Sequence, residues 1–563
     1  MLAGVTACAA APVCAQVVTA DSTAVTVFRD VRLFDGERVV PLATVVIDGH
    51  RITQVLLGGE PANVPEGANI VDGRGRTLLP GFIDAHTHTF SRVYIKIATG
   101  FGVTTQLDMF TALPVVHALK EEQARGQARD RADLLSAGTL VTAAGGHGTQ
   151  FGLPIPTLER AEDAQAFVDA RLAEGSDYLK IIVEDGSAFG MSTPTLDAAR
   201  VRAVVEAAHA RGRLAVAHIG DADAALLALE AGVDGLVHVF ADHAPPPDLG
   251  RIAARHGAFV VPTLSVIEGT AGGPGGRAVT ADPRLNRFLT PAGLRNLQTA
   301  FPHLPGNTQT MGHAFAAVRL LHEAGVPLLA GSDAPNPGTY MGVTIHRELQ
   351  LLVEAGLTPV EALRAATSAP ADAFGLADRG RIRAGSRADL VLVDGDPTSE
   401  VLDSRQLVGV WKEGRRWKLE LGLVEVVRQR AAAGVPVGPP GALPANLVLG
   451  AFEDDYGNRY AVTGDAWVMN DGARYSVMRW DREGRYVILQ NDAGNATGGG
   501  LWTRIDWAEL DGMDPWVWAF CMSAYDAPTP EAATASLIAD RRTLRTGCNG
   551  FPFSRMKPGS PRP

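Results

Sequence analysis

The chain has 563 residues, 46% of them hydrophobic, and sets 51 Lys+Arg against 62 Asp+Glu for a net charge of −11. That length exceeds one ordinary domain and the apolar fraction is ample for a large core. Charge spread along the chain without a long basic run argues against nucleic-acid binding as the main role, and past the N-terminus no run is long and apolar enough to span a bilayer.

Taken in order, Leu2 to Ala15 is small and apolar, and Val13-Cys14-Ala15 before Gln16 places small residues where a signal peptidase cuts. This predicts a signal peptide over residues 1–15 and a periplasmic or secreted protein. The positively charged start of such a leader is missing, so an ordinary apolar N-terminus is the competing reading. Cleavage would remove Cys8 and Cys14 and leave Cys521 and Cys548 as a candidate disulfide. Its loop of about 27 residues would be worth roughly 3 kcal/mol on the chain-entropy model.

Thr26 to Phe34, Ala43 to Ile47 and Arg51 to Leu56 read as short antiparallel strands between turns such as Asp35-Gly36 and Asp48-Gly49-His50. Similar material returns at Ala388 to Asp394 and Val408 to Trp417. The expectation is one small composite β-sandwich domain assembled from both flanks, residues 25–78 and 384–417.

Between the flanks, apolar strand-like runs alternate with amphipathic helical ones. The strand-like runs are Phe82 to His88, Val103 to Met109, Leu134 to Ala143, Asp177 to Val183, Leu214 to His218, Gly235 to Val239, Phe259 to Val266 and Pro327 to Asp333. Helical runs such as Leu196 to Arg211 and Ala222 to Gly232 show apolar spacing of three and four. Eight such units predict an α/β fold, a (β/α)8 barrel over residues 79–383.

The first run is the most informative. Leu78 to Ile83 reads as a buried strand entered through a bend at Pro80-Gly81, and it leads to His86 and His88. Alternating side chains put both imidazoles on one face, where they can reach a single metal ion. At later strand ends, Lys180 closes Asp177-Tyr178-Leu179-Lys180, His218 closes Leu214 to Ala217, His238 closes Gly235 to Val237, and Asp333 closes Leu328 to Ser332. Singly, each is explained as a solvated lysine, a packed histidine or a helix cap.

As a set, these residues resemble the amidohydrolase superfamily over about residues 25–417. The runs Gly81-Phe82-Ile83-Asp84-Ala85-His86-Thr87-His88, Gly331-Ser332-Asp333-Ala334 and Ala388-Asp389-Leu390-Val391-Leu392-Val393 carry the resemblance, which is to the imidazolonepropionase-like and prolidase-like branch with a carboxylated lysine. The resemblance implies a first divalent ion, zinc by expectation, on His86, His88 and Asp333, and a second on His218 and His238. Carboxylated Lys180 would bridge the two, since an ammonium cannot ligate a cation but a carbamate can. It further implies hydrolysis of an amide or ester in a small-molecule or short-peptide substrate by a metal-bridging hydroxide, with Asp333 moving the proton.

Two alternatives stay open. One is a mononuclear deaminase or cyclic-amidine hydrolase with unmodified Lys180. The other, disfavoured by the full set of six ligand-type residues, is a non-catalytic binding protein. His147, in Gly145-Gly146-His147-Gly148, is the candidate substrate contact. Ile219 follows His218 where prolidase-like relatives often present a tyrosine, which weakens a peptidase reading. His243, His346, Arg347 and Glu348 have solvent or helix-start explanations at least as good as a pocket role. The long connection from Glu268 to about Met311 offers Phe288 and Phe301 as apolar contacts of a lid or of a surface excursion. Homo-oligomerisation is not readable.

Leu419 to Ala433 is helical in pattern, residues 434–445 are a linker by composition, and residues 446–563 form a tryptophan-rich β module. Its tryptophans at 467, 480, 502, 507, 516 and 518 read as the core of a small domain in preference to a ligand platform.

Overall fold

The computed structural model describes residues 25–58, 64–151, 155–302, 304, 306–417, 448 and 450–558, apart from 464–465, 471–472, 482–483, 493, 496–498, 511–512, 514, 537–538 and 549–551. The signal peptide expected over 1–15, Cys8, Cys14, the helical run 419–433 and the linker 434–445 lie outside the described residues.

The chain enters through β1 (Thr26–Phe34), β2 (Val39–Asp48), β3 (Arg51–Leu57), β4 (Asn69–Asp72) and β5 (Arg76–Pro80). The run expected to start one strand at Leu78 is divided at Gly81. β5 belongs to this first sheet, and β6 (Phe82–Thr87) starts another. A Cβ on Gly81 would stand 2.3 Å from the Thr104 hydroxyl, so only glycine lets the chain cross there.

β6 pairs in parallel with β7 (Val103–Asp108), and β7 with β8 (Asp133–Ser136). β9 (Leu179–Val183), β10 (Ala215–Ile219), β11 (Gly235–Val237) and β12 (Phe259–Val261) make a second parallel sheet. Six of these seven strands are buried at every position and β8 at all but one, which explains why they read as apolar runs instead of alternating ones. Isolated parallel bridges Val141–Ile181, Val260–Leu328 and Thr87–Ala334 link the two sheets at both sides.

Several expected strands are shorter than their apolar runs. The third ends at Ser136, and Val141 contributes only a bridge. The sixth and seventh stop where His238 (φ 84°) and Thr263 (φ 52°) turn left-handed and end the ladder. Helix Leu264–Thr270 then occupies residues read as strand. The segment 327–333 is held by bridges without becoming a strand. Between strands, helices Ala198–His209 and Ala222–Ala231 start at Asp197 and Asp221, whose carboxylates accept from the Arg200 and Ala224 amides.

After the parallel strands the chain returns to the first sheet with β13 (Leu390–Asp394), β14 (Leu407–Lys412) and β15 (Arg415–Arg416). Hydrogen bonding runs through one eight-stranded sheet in the order β15-β14-β13-β5-β1-β2-β3, with β4 on β1. Phe28 packs edge-on against Trp411 in its core at 4.7 Å between ring centres.

Strands β16 (Gly450–Asp454), β17 (Arg459–Val462), β18 (Ala466–Met469), β19 (Ala473–Asp481), β20 (Tyr486–Asn491), β21 (Trp502–Glu509), β22 (Trp518–Ala527) and β23 (Ser554–Pro558) close into an antiparallel barrel. Trp467, Trp507 and Trp518 are fully buried and fill it with Phe452 and Phe520. Cys521 and Cys548 form a disulfide. Among the described residues no helix is long and apolar enough to cross a membrane.

Candidate metal centre

His86 near the end of β6 is fully buried, and His88 follows one residue past the strand. Their Nε2 atoms lie 3.3 and 3.0 Å from one oxygen, Asp333 Oδ1. The approach of segment 327–333 depends on Gly331, where a Cβ would stand 2.8 Å from His86 Cβ and 2.5 Å from Val261 Cγ1. Asp333 itself sits in the left-handed region at φ 50°, as does His238. Backbone strain of this kind, about 1–3 kcal/mol per residue, gathers at functional sites.

Lys180 projects from within β9, not from its close, because β-branched Ile181-Ile182-Val183 continues the strand. Its Nζ lies 3.2 Å from His86 Nε2. His218 on β10 and His238 just past β11 bring their rings to 4.6 Å of each other, and His238 is 4.7 Å from His86. All six expected ligand residues therefore converge. His147 joins them: its ring stacks on His218 at 4.8 Å, and its Nδ1 lies 3.2 Å from Glu184 Oε2.

Neighbouring groups orient the imidazoles. His88 Nδ1 faces the Phe110 carbonyl at 3.0 Å, which can only accept, so His88 donates there and turns an Nε2 lone pair inward. The Thr263 hydroxyl donates to the Pro262 carbonyl at 2.8 Å and accepts from His238 Nδ1 at 2.6 Å, which fixes the same tautomer on His238. Burial holds His86, His218 and His238 far below the usual imidazole range, so each is neutral and able to ligate. Burial also brings the Lys180 amine down to about 8, against the pull of Asp333, Asp108 and Glu184. Although burial opposes its ionisation, the Asp333 carboxyl is held below its ordinary value by the electrostatic influence of the surrounding His88, His238 and Lys180.

These residues fit divalent ions. Neutral nitrogens and an ionised carboxylate converge at ligand spacing, and two groups, His86/His88/Asp333 and His147/Glu184/His218, each bring three donor atoms within 4.8 Å of one another.

Sequence reasoning did not single out Glu184. It lies four residues after Lys180, on the same alternating face, and its Oε2 is 2.7 Å from His218 Nε2. Two carboxylates behind the site were also not assigned. Asp84 accepts from the Ser332 amide and hydroxyl at 2.9 and 2.6 Å, and burial pushes it up to about 7. Asp108 accepts from the Thr89 amide at 2.7 Å and the Ser136 hydroxyl at 2.5 Å, and burial pushes it up to about 6.

A cavity of about 510 Å³ is lined by His88, His147, Lys180, Glu184, His218, His238 and Asp333 together with Phe90, Phe110, Leu140, Phe189, Ile219 and Phe301. Phe288, expected beside Phe301, instead packs in the core against Phe101 at 6.0 Å. His243 is exposed beside Asp242 and does not line the cavity. His346 is buried structure, bonded to the Phe101 carbonyl at 3.0 Å and to Ser404 at 3.1 Å. Glu348 accepts from the Leu264 and Ser265 amides at 2.9 and 2.8 Å, and Arg347 pairs with Glu268.

Residues 77–416 match the model of the Amidohydrolase family. An imidazolonepropionase of Anaeromyxobacter dehalogenans (strain 2CP-1) is 30% identical over 390 residues, covering 63% of this chain and 84% of the relative. An ochratoxinase of Aspergillus niger is 24% identical over 319 residues, 51% of this chain and 60% of the relative. A solved Xaa-Pro dipeptidase with bound methionine superposes with a TM-score of 0.58 at 23% identity, covering 70% of this chain and 99% of that one.

Proposed function

This chain belongs to the amidohydrolase family, enzymes that hydrolyse C–N bonds, and we propose that it cleaves a small amide with apolar flanking groups at a two-ion centre. The observation that carries this reading is the convergence of His88, Lys180, His218, His238 and Asp333 on one cavity, with the buried His86 in contact with Asp333, Lys180 and His238. The parallel strands and their linking bridges support a (β/α)8 barrel, with His86, His88, His218 and His238 near or just past the C-terminal ends of its strands.

His86, His88 and Asp333 would hold the first ion, His218 and His238 the second, zinc fitting the nitrogen-rich donors. Lys180, carboxylated by carbon dioxide with release of a proton, would span both; burial favours the neutral amine that this step needs. When bound, such ions supply Lewis acidity and a water acidified toward neutral pH. Asp333, ionised and within 3.0 Å of His88 Nε2, stands where it can take a proton from the attacking water and return it to the leaving nitrogen. His147 lines the cavity and would contact the substrate. Phe90, Phe110, Phe189 and Phe301 would enclose an aromatic or branched alkyl group and shield the scissile bond from bulk water. Ile219 adds to that apolar wall and offers no hydroxyl.

A one-ion centre is the competing reading, in which Lys180 stays an amine hydrogen-bonded to His86. Export to the periplasm or beyond is supported by the apolar segment 2–15 and by the Cys521–Cys548 disulfide, since such bonds persist in oxidising compartments.

The test is to strip metal with a chelator, restore zinc with bicarbonate, and assay amine release from a panel of aryl and alkyl amides. Cleavage that returns with the metal and is lost in Asp333→Asn is the expected result. Absence of metal-dependent cleavage across the panel in zinc-loaded protein would contradict it.

A further inference from the structure

We infer that Glu184 is a direct ligand of the second ion, beside His218; this rests on the two-ion reading above. Along β9 and its continuation, Lys180, Ile182 and Glu184 share one face and all three line the cavity. Lys180 and Glu184 therefore reach the centre from a single stretch of chain, two alternations apart.

The spacing of the donor atoms carries the argument. In the first group, the two histidine nitrogens stand 3.3 and 3.0 Å from Asp333 Oδ1. In the second, His218 Nε2 and His147 Nδ1 stand 2.7 and 3.2 Å from Glu184 Oε2. Two donors about 2.1 Å from one tetrahedral ion are separated by roughly 3.4 Å; the first group and the His147–Glu184 pair are near that spacing, and the 2.7 Å His218–Glu184 pair, now at hydrogen-bond distance, would open by a few tenths of an ångström to share an ion. If His218 ligates through Nε2, an oxygen 2.7 Å from that nitrogen is close enough to reach the same ion. The backbone leaves room for this side chain: a Cβ on Gly220 would stand 2.9 Å from Glu184 Cγ.

Charge points the same way. Asp333 gives the first ion an anionic oxygen of its own, whereas His218 and His238 are neutral and would leave the second ion only its share of the Lys180 carbamate. A carboxylate from Glu184 makes the two sites alike in charge. Because Glu184 is also 3.2 Å from His147, ligation would tie the Gly145–Gly148 loop to the centre.

The experiment uses the full chain, stripped by chelator and titrated with zinc in bicarbonate buffer by calorimetry, with metal counted by elemental analysis after desalting. Wild type is compared with Glu184→Gln, and thermal melting of each confirms the fold. The expected result is two ions in wild type, and in the variant one ion at wild-type affinity with the second weakened by more than roughly 100-fold, beyond what loss of an outer hydrogen-bond partner causes. A smaller weakening, or none, would make Glu184 a hydrogen-bond partner of His218 and overturn the inference. A single ion in wild type would instead sink the two-ion reading, and this inference with it, before any variant is considered.

Discussion

Asp133 at the start of β8 and Asp333 at the far end of the parallel strands are both buried carboxylates, yet their surroundings differ. Asp133 Oδ2 receives Arg387 at 2.5 Å, Arg379 at 2.7 Å and Lys412 at 3.2 Å, joining the parallel strands to the eight-stranded sheet. Burial opposes its charge, but these three cations hold its carboxyl down at about 2. Asp333 faces His86, His88 and His238 with Lys180 nearby, and burial suppresses the charged forms of His86, His238 and Lys180. One cluster locks its protonation states and holds two sheets together. The other keeps groups whose protons and lone pairs remain exchangeable, as metal binding and proton transfer require.

The comparison predicts opposite outcomes for the two aspartates. Asp333→Asn should lower kcat/KM by about 10²–10⁴-fold, the usual scale for a proton-transferring group, as measured on any amide the enzyme cleaves. Asp133→Asn should leave kcat/KM per folded molecule unchanged and destabilise by about 3–5 kcal/mol in chemical denaturation, because it strands buried cations. Loss of activity without loss of stability in Asp133→Asn would erase the distinction.

Glu348 sharpens the comparison through pH. Burial pushes its carboxyl from 4.5 up to about 7, so the folded state favours the protonated form. The stability it contributes is full below its unfolded pKa and is lost as pH rises through about 7. Relative to Glu348→Gln, wild type should lose roughly 3 kcal/mol between pH 4 and pH 8. A stability gap that stays flat with pH would show the carboxylate to be better compensated than its three donors, the Leu264 and Ser265 amides and the Ser265 hydroxyl, suggest.

The smallest effect concerns His346, a buried histidine outside the cavity with both ring nitrogens bonded. His346→Ala should cost about 1–3 kcal/mol of stability from the partners left unpaired. Its zinc content should match wild type, and any fall in zinc would place it in the centre after all.

Much of the site was legible because strand geometry is periodic. His86 and His88 follow from alternation alone, and Lys180, His218, His238 and Asp333 from their places on successive apolar runs. Glu184 obeys the same alternation, but treating Lys180 as the close of its strand hid it. Asp84 and Asp108 look like ordinary strand-end acids until burial and their serine partners are visible. The strand lengths were overestimated where left-handed residues interrupt the ladder, since nothing in an apolar run such as Phe259 to Val266 announces that Thr263 will adopt φ 52°. In the C-terminal module, turn spacing and tryptophan content suggested β structure with a tryptophan core, but closure into a barrel depends on long-range pairing of β16 with β23.

The most direct test of the two-ion centre is zinc per chain in wild type and Lys180→Ala, both prepared with bicarbonate. Two ions in wild type falling to one or none in the variant is the result that a lysine bridge predicts. Equal zinc in the two proteins would contradict it and leave Lys180 as a buried amine beside a centre that does not need it.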